Sequence, residues 1–195
     1  MNKPSDAPFT HEEFDKVYAS PLHHWMWSDV RIPKELKAFI DSVQPKEILE
    51  LGTGLGRYSR YAASRGVRST GIDFSAVAIE RAKDLAAVDP AKPNFLVGDV
   101  TRLDISNGSY DASFDVGCFH CLDADGQAKY DSEVSRVLRP GAEHLMWALD
   151  RSPSGVSMDP ATVGKIFGGQ FGLVSHHSSR RRLKASRWYL LKKLD

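Results

Sequence analysis

The sequence predicts an α/β domain: a seven-stranded, mostly parallel sheet with an antiparallel C-terminal hairpin and helices on both faces. Three observations carry this. Short, mostly apolar runs alternate with helix-patterned stretches from Glu47 to Leu149, with no linker, repeat or low-complexity tract between them. The runs lack the polar alternation of a half-exposed strand, so they read as strands covered on both faces. The last two strand-like runs are joined by the short basic segment SRRRLKA instead of a helix, which closes the sheet as a hairpin.

Along the chain, residues 1–33 read as an N-terminal lid or cap segment, its first dozen residues loosely ordered, and residues 34–195 as the core of one domain. Lys34 to Val43 places Leu36, Phe39, Ile40 and Val43 on one helical face; Pro33 sits where a first-turn proline is tolerated and Pro45 ends the helix. Strands are expected from Glu47 to Leu51, Arg68 to Asp73, Asn94 to Gly98, Ala112 to Cys118 and Glu143 to Leu149. Between them the pattern predicts helices from Arg57 to Ser64, Ala76 to Val88 and Gln127 to Leu138, the last stopped by Pro140-Gly141, which also turns the chain into the fifth strand. Parallel neighbours need such crossovers, and crossovers are right-handed. A helix near Pro160 to Phe167 then leads to the hairpin strands, Phe171 to Ser178 and Ser186 to Lys192.

At 195 residues, with 42% hydrophobic and 26% charged side chains, the chain has the make-up of one globular domain. Its 26 basic and 25 acidic residues leave a net charge of +1, which argues against nucleic acid, membrane surfaces and polyanions as partners. Neither a signal peptide nor a membrane span is visible, so a cytoplasmic protein is expected. Cys118 and Cys121 form a lone CxxC, two ligands short of a zinc site, and read as free thiols.

The stretch ILELGTGLGRYSRYA runs from a buried strand into a helix through Gly52, Gly54 and Gly56. There, backbone amides and the positive end of the helix dipole point into one spot. Glycines at alternate positions let a ligand lie on bare main chain, although many α/β proteins keep such a turn for helix packing alone. The order E-L-G-T-G-L-G fits neither the GxGxxG dinucleotide fingerprint nor a P-loop. Three acids, Glu50, Asp73 and Asp99, fall at the carboxyl ends of three successive strands, the crevice where ligands bind in open α/β sheets. Asp73, 17 residues beyond Gly56, suits a ribose diol; helix N-capping is the competing role for it and for Asp99.

On these motifs the chain resembles the class I S-adenosylmethionine-dependent methyltransferases, from Leu49 to Lys193: ELGTGLG at the first strand, GIDFS at the second, GDV at the third, FDVGCFHCL at the fourth, and RVLRPGA into the fifth. The resemblance implies a Rossmann-like core with S-adenosyl-L-methionine as cofactor. By it, Gly52, Thr53, Gly54 and Gly56 would cradle the methionine part, Asp73 would bind the ribose hydroxyls, Asp99 with Val100 would hold the adenine, and Phe74 and Ser75 would join the cofactor-binding residues. Glu50 would anchor the loop or a water, and Cys118 would complete the cofactor-contacting set. The compact length and D-V-G-C-F-H-C-L ahead of RVLRPG look most like the thiopurine and tellurite-resistance type, which acts on small molecules; Ala142 departs from it where a second glycine is usual.

Methyl transfer is an in-line displacement that asks mainly for alignment and exclusion of water. His120, just past the fourth strand, is the best candidate for a base, against the commoner role of a structural hydrogen-bonder; Cys118 and Cys121 read more readily as small apolar packing. Upstream, SPLHHWMWSDVRIP concentrates two histidines, two tryptophans and a methionine; if this segment folds over the glycine turn, Trp25, Met26 and Trp27 would wall an apolar acceptor pocket and leave His23 or His24 near the acceptor, the equal alternative being a helix-flanking segment packed on the core. Substrate contacts are therefore expected from His24, Trp25, Trp27 and His120. Arg180, Arg181, Arg182 and Lys184 read as a solvated hairpin tip. Methyltransferases of base amino groups resemble one another in an Asp or Asn, Pro, Pro and aromatic motif where this chain has Asp115-Val116-Gly117-Cys118, which again disfavours nucleic acid. No clustered oxygen ligands suggest a metal. The expected partner is a small-molecule methyl acceptor, its sulfur, oxygen or nitrogen and the oligomeric state being left open. The competing classes are a non-catalytic cofactor-binding scaffold and a nicotinamide oxidoreductase.

Overall fold

The computed structural model describes residues 15, 16, 18, 19, 31–180 and 184–195. Its elements run α1 (Lys34–Val43), β1 (Glu47–Leu51), α2 (Arg57–Ser64), β2 (Arg68–Asp73), α3 (Ala76–Ala86), β3 (Asn94–Val97), β4 (Tyr110–Val116), α4 (Ala124–Val137), β5 (Leu138–Leu149), α5 (Pro160–Phe167), β6 (Phe171–Ser179) and β7 (Ser186–Lys193). A 3₁₀ turn, Phe119–Cys121, links β4 to α4. The seven strands form one sheet in the order β3-β2-β1-β4-β5-β7-β6, with β7 antiparallel to both β5 and β6 and the other pairs parallel.

Side-chain alternation along the strands sorts the core into two layers. Ile48, Phe114, Leu145, Trp147 and Trp188 pack with Leu36, Phe39 and Ile40 of α1 and Tyr58 and Ala62 of α2. Their neighbours Leu49, Leu51, Met146, Ala148, Tyr189 and Leu191 face the other way, onto Tyr130, Val134 and Val137 of α4 and Val163 and Phe167 of α5. A smaller cluster joins Ile79, Ala82 and Ala86 of α3 to Phe95 of β3. At the end of α1, Gln44 takes a left-handed conformation (φ 49°) before Pro45, where the chain cannot continue as helix.

Most element ends fall within two residues of the sequence reading; the larger differences are at the start of α4 and the start of β5. Helix α4 begins at Ala124, capped by the Asp123 carboxylate, and stops at Val137 without help from Pro140-Gly141. Those two residues lie inside β5, where a single residue of β4, Asp111, stands opposite residues 139–142 between the Tyr110–Leu138 and Ala112–Glu143 pairs. Gly141 (φ 70°) supplies the left-handed residue of this wide bulge, so the motif bends a strand and does not end a helix. The helix-free connection from β3 to β4 is held by the Arg136 guanidinium, which donates to the carbonyls of Leu103 (2.8 Å) and Ile105 (2.6 Å) and to the Asn107 side chain (2.9 Å) while pairing with Glu133.

Candidate functional site

At the carboxyl ends of β1 to β4 the chain leaves a cleft of about 270 Å³, near the lower end of small-molecule sites. Gly52, Asp73, Phe74, Gly98, Asp99, Val100, Gly117 and Cys118 line it; Leu122, Asp123 and Gly126 of the α4 entry and Tyr18 of the N-terminal segment close it. Each acid reaches its place through backbone amides. Asp73 is buried; one carboxylate oxygen accepts from the Gly54 amide at 2.8 Å and the other from the Ser75 amide at 3.0 Å, which sets the group against the glycine turn. Asp99 uses Oδ1 for the Thr101 amide (2.8 Å) and hydroxyl (2.7 Å), a local turn that leaves its exposed side toward the cleft. Neither acid caps a helix: Ser75 caps α3, accepting from the Ala78 amide at 3.1 Å.

The expected site residues therefore divide. Gly52, Asp73, Phe74, Asp99, Val100 and Cys118 come together on the cleft wall. Glu50, Thr53 and Ser59 form a knot beneath it: Glu50 Oε2 accepts from the Thr53 hydroxyl (2.7 Å), the Ser59 amide (2.8 Å) and the Ser59 hydroxyl (2.5 Å). Burial pushes the Glu50 carboxyl up to about 8 against the pull of those donors, so it ties β1 to α2 as a neutral acid. Gly56 also faces away from the cleft. A β-carbon there would stand 2.3 Å from the Phe95 ring, so the third glycine serves helix packing. Gly54 lies under Tyr18, whose hydroxyl would be 3.0 Å from a β-carbon at that position. Ser75, besides capping α3, donates to Asp15, and Arg81 donates to the Tyr18 carbonyl, so the described part of the N-terminal segment rests on the glycine turn and α3.

His120 is buried on the far side of Gly117, its ring 5.7 Å from that of Trp147 and nearly perpendicular to it, and is not part of the cleft lining. Its carbonyl accepts from Ser154 Oγ at 3.3 Å. His23, His24, Trp25, Met26 and Trp27, like Arg181 and Arg182, lie outside the described residues. Cys118 and Cys121 are free thiols on the wall, both pushed up by burial and then by Asp115, Cys121 to about 12, so they present neutral, weakly polar sulfur. Among the described residues no group of three or more potential ligands could hold a metal.

The sequence reading missed Tyr18 and Asp115. Tyr18 lies in a segment whose packing no periodicity announces. Asp115 follows the rule that picked out the other three acids, since it too stands at a strand's carboxyl end. It is wholly buried and accepts from the amides of Gly117, Cys118 and Phe119, folding the β4 exit into the cleft wall.

Comparison with known proteins agrees with this geometry. Residues 48–141 match the model of a methyltransferase domain. An uncharacterized methyltransferase of Schizosaccharomyces pombe is 33% identical over 107 residues, 55% of this chain and 74% of that protein. The probable chloroplastic tocopherol O-methyltransferase of Oryza sativa is 29% identical over 161 residues, 77% of this chain and 44% of its own length. In fold, the 1,6-didemethyltoxoflavin-N1-methyltransferase of Burkholderia thailandensis, solved with S-adenosylhomocysteine, superposes with a TM-score of 0.79 at 18% identity, over 97% of this chain and 93% of that one. With the glycine turn, the strand-end acids and these relatives in agreement, the chain belongs to the class I S-adenosylmethionine-dependent methyltransferases.

Proposed function

We propose that this methyltransferase acts on a sulfur, oxygen or nitrogen atom of a small molecule, with the cofactor seated in the cleft at the ends of β1 to β4. The observation that supports the seat most is the joint lining by Gly52, Asp73, Asp99 and Val100 from three successive strand ends. Bare backbone at Gly52, Gly98 and Gly117 and the carboxylates of Asp73 and Asp99 suit an aminoacyl nucleoside; the described lining offers it acceptors and no lysine or arginine. Gly52 and Gly54 would carry the methionine part, Asp73 the ribose hydroxyls, Asp99 and Val100 the adenine, and Cys118 the floor. When bound, S-adenosylmethionine supplies an electrophilic methyl group on a sulfonium. The chain's own contribution is then to orient the two reactants and keep water out, which agrees with a described lining that contains no histidine.

A small acceptor fits the names of two similar proteins, one for a tocopherol and one for a didemethyltoxoflavin, and the Tyr18 contact at the cleft supports a covering role for residues 1–33 of the one domain. Among the described residues no helix is long and apolar enough to cross a membrane; a cytoplasmic setting would agree with the unlinked thiols of Cys118 and Cys121. The test is a panel of thiols, phenols and amines incubated with S-adenosylmethionine and scored by release of S-adenosylhomocysteine. Turnover with one class is expected; cofactor binding with no release from any class would support the scaffold reading instead.

A further inference from the structure

Behind the cleft wall the core carries a line of polar side chains. Ser113 and Asp115 on β4, Tyr130 on α4 and His144 on β5 are all 0% exposed. Asp115 Oδ1 accepts from the Gly117 and Cys118 amides, both at 2.7 Å, and Oδ2 from the Phe119 amide at 2.6 Å and the Tyr130 hydroxyl at 3.1 Å. Two donors on each oxygen fill the carboxylate's acceptor sites. A protonated Asp115 would have to turn a hydrogen toward one of these donors, so taking up a proton means displacing one of them.

The line behind Tyr130 has a single polarity. Its one hydroxyl proton goes to Asp115, so the oxygen accepts from His144 Nε2 at 3.4 Å. Burial pushes the His144 imidazole down to about 3, with the Ser113 backbone offsetting part of the shift, so the ring is neutral. With its proton on Nε2, Nδ1 accepts from Ser113 Oγ at 2.8 Å. Every proton in the line points toward Asp115.

We propose that Ser113, His144 and Tyr130 are positioning residues: a one-way hydrogen-bonded line that keeps Asp115 ionised, and through it holds Gly117 and Cys118 in place as the wall of the cofactor cleft. The proposal rests on that cleft being the cofactor seat. Burial raises the Asp115 carboxyl to about 6, against the three amides and the Tyr130 hydroxyl that favour its charged form. The titratable groups around it are Tyr130 from α4, His144 from β5 by way of Tyr130, and Cys118 and Cys121 on its own turn; Asp73 and Asp99 act on Cys118. As pH falls through the Asp115 value the carboxylate is lost, a donor is released and the wall loosens. Removing the Tyr130 donor moves that loss to higher pH.

The experiment measures S-adenosylmethionine affinity by calorimetry between about pH 5 and 8 on the wild type, Tyr130→Phe and Asp73→Ala. Phenylalanine keeps the ring contacts of Tyr130 with Phe119 and Phe167, so the fold is retained, as melting curves will check. Tyr130→Phe is expected within about twofold of wild type at pH 8, several-fold weaker near pH 6, with the acid limb moved up by about one pH unit. A uniform loss at every pH, or an unmoved limb, would overturn the positioning role. Folded Asp73→Ala binding as tightly as wild type would instead overturn the seat itself, and the proposal with it.

Discussion

At the scale of single residues, the buried acids divide into those that must be neutral and those that must be charged. Glu50 gathers three donors on Oε2, leaving Oε1 to carry a proton. Its folded-state value, raised from 4.5 to about 8, means that its contribution to stability is full below 4.5 and is lost as pH rises through about 8. Asp115 and Asp131, raised to about 6, have already titrated by then. Melting temperature should therefore fall between about pH 6.5 and 8.5 by the equivalent of on the order of 1–2 kcal/mol, and Glu50→Gln should flatten that fall while Glu50→Ala destabilises at every pH. An equal pH slope in Glu50→Gln would show that Glu50 is not the titrating group. Asp73 behaves differently, since its two oxygens take one amide each and it faces the cleft. Asp73→Ala should weaken S-adenosylmethionine binding by about 1–3 kcal/mol in calorimetry, and unchanged affinity would remove it from the ribose role. Three of the strand-end acids, Glu50, Asp73 and Asp99, were read from the sequence and Asp115 was missed, but which face each one serves is not legible there. Glu50 and Leu51 sit one residue apart and point to opposite sides of the sheet, so a carboxylate meant for the loop and one meant for the ligand look alike until the register is known.

Among the elements, the glycine turn shows three glycines required for three reasons. Gly52 meets Cys118 on the wall, Gly54 meets Tyr18, and Gly56 meets Phe95 and Ala82. Gly56 also has φ 71°, so Gly56→Ala combines backbone strain with a clash and should cost on the order of 2–4 kcal/mol in urea unfolding. Phe95→Leu in the same chain should recover part of that loss, leaving the strain, because the two residues share one contact. Full additivity would mean that the ring is not what excludes the methyl group. Strand cores and three helices (α1, α2 and α5) were legible because they are short, strongly patterned and bounded by glycine, proline or a capping acid. The α4–β5 junction was not. Pro140-Gly141 normally punctuates a helix, yet here tertiary pairing of Leu138 with Tyr110 starts the strand earlier, and the pair is absorbed as a bulge pinned by Arg139 on Asp111.

For the whole molecule, the alternation of strands and helices was enough to give the layers and the hairpin, because parallel pairing leaves few other topologies open. Charge distribution was less legible, since a net +1 conceals where the charges stand. The described cleft lining carries Asp73, Asp99 and Asp123 and no lysine or arginine, so the site is locally negative in a nearly neutral chain. S-Adenosylmethionine bears a sulfonium that the product lacks, so on the proposed cofactor seat this field would favour the reactant over S-adenosylhomocysteine and assist product release. Exposed members of the set are screened by salt. Raising sodium chloride from about 0.05 to 0.5 M should weaken S-adenosylmethionine binding several-fold while changing S-adenosylhomocysteine binding by less than about twofold. Asp123→Asn should reduce that difference, because asparagine keeps the cap on the Gly126 amide but removes the charge. Equal salt slopes for the two ligands in the wild-type protein would show that the strand-end acids recognise hydrogen-bond donors alone, with no part in discriminating the charged methyl donor from its neutral product.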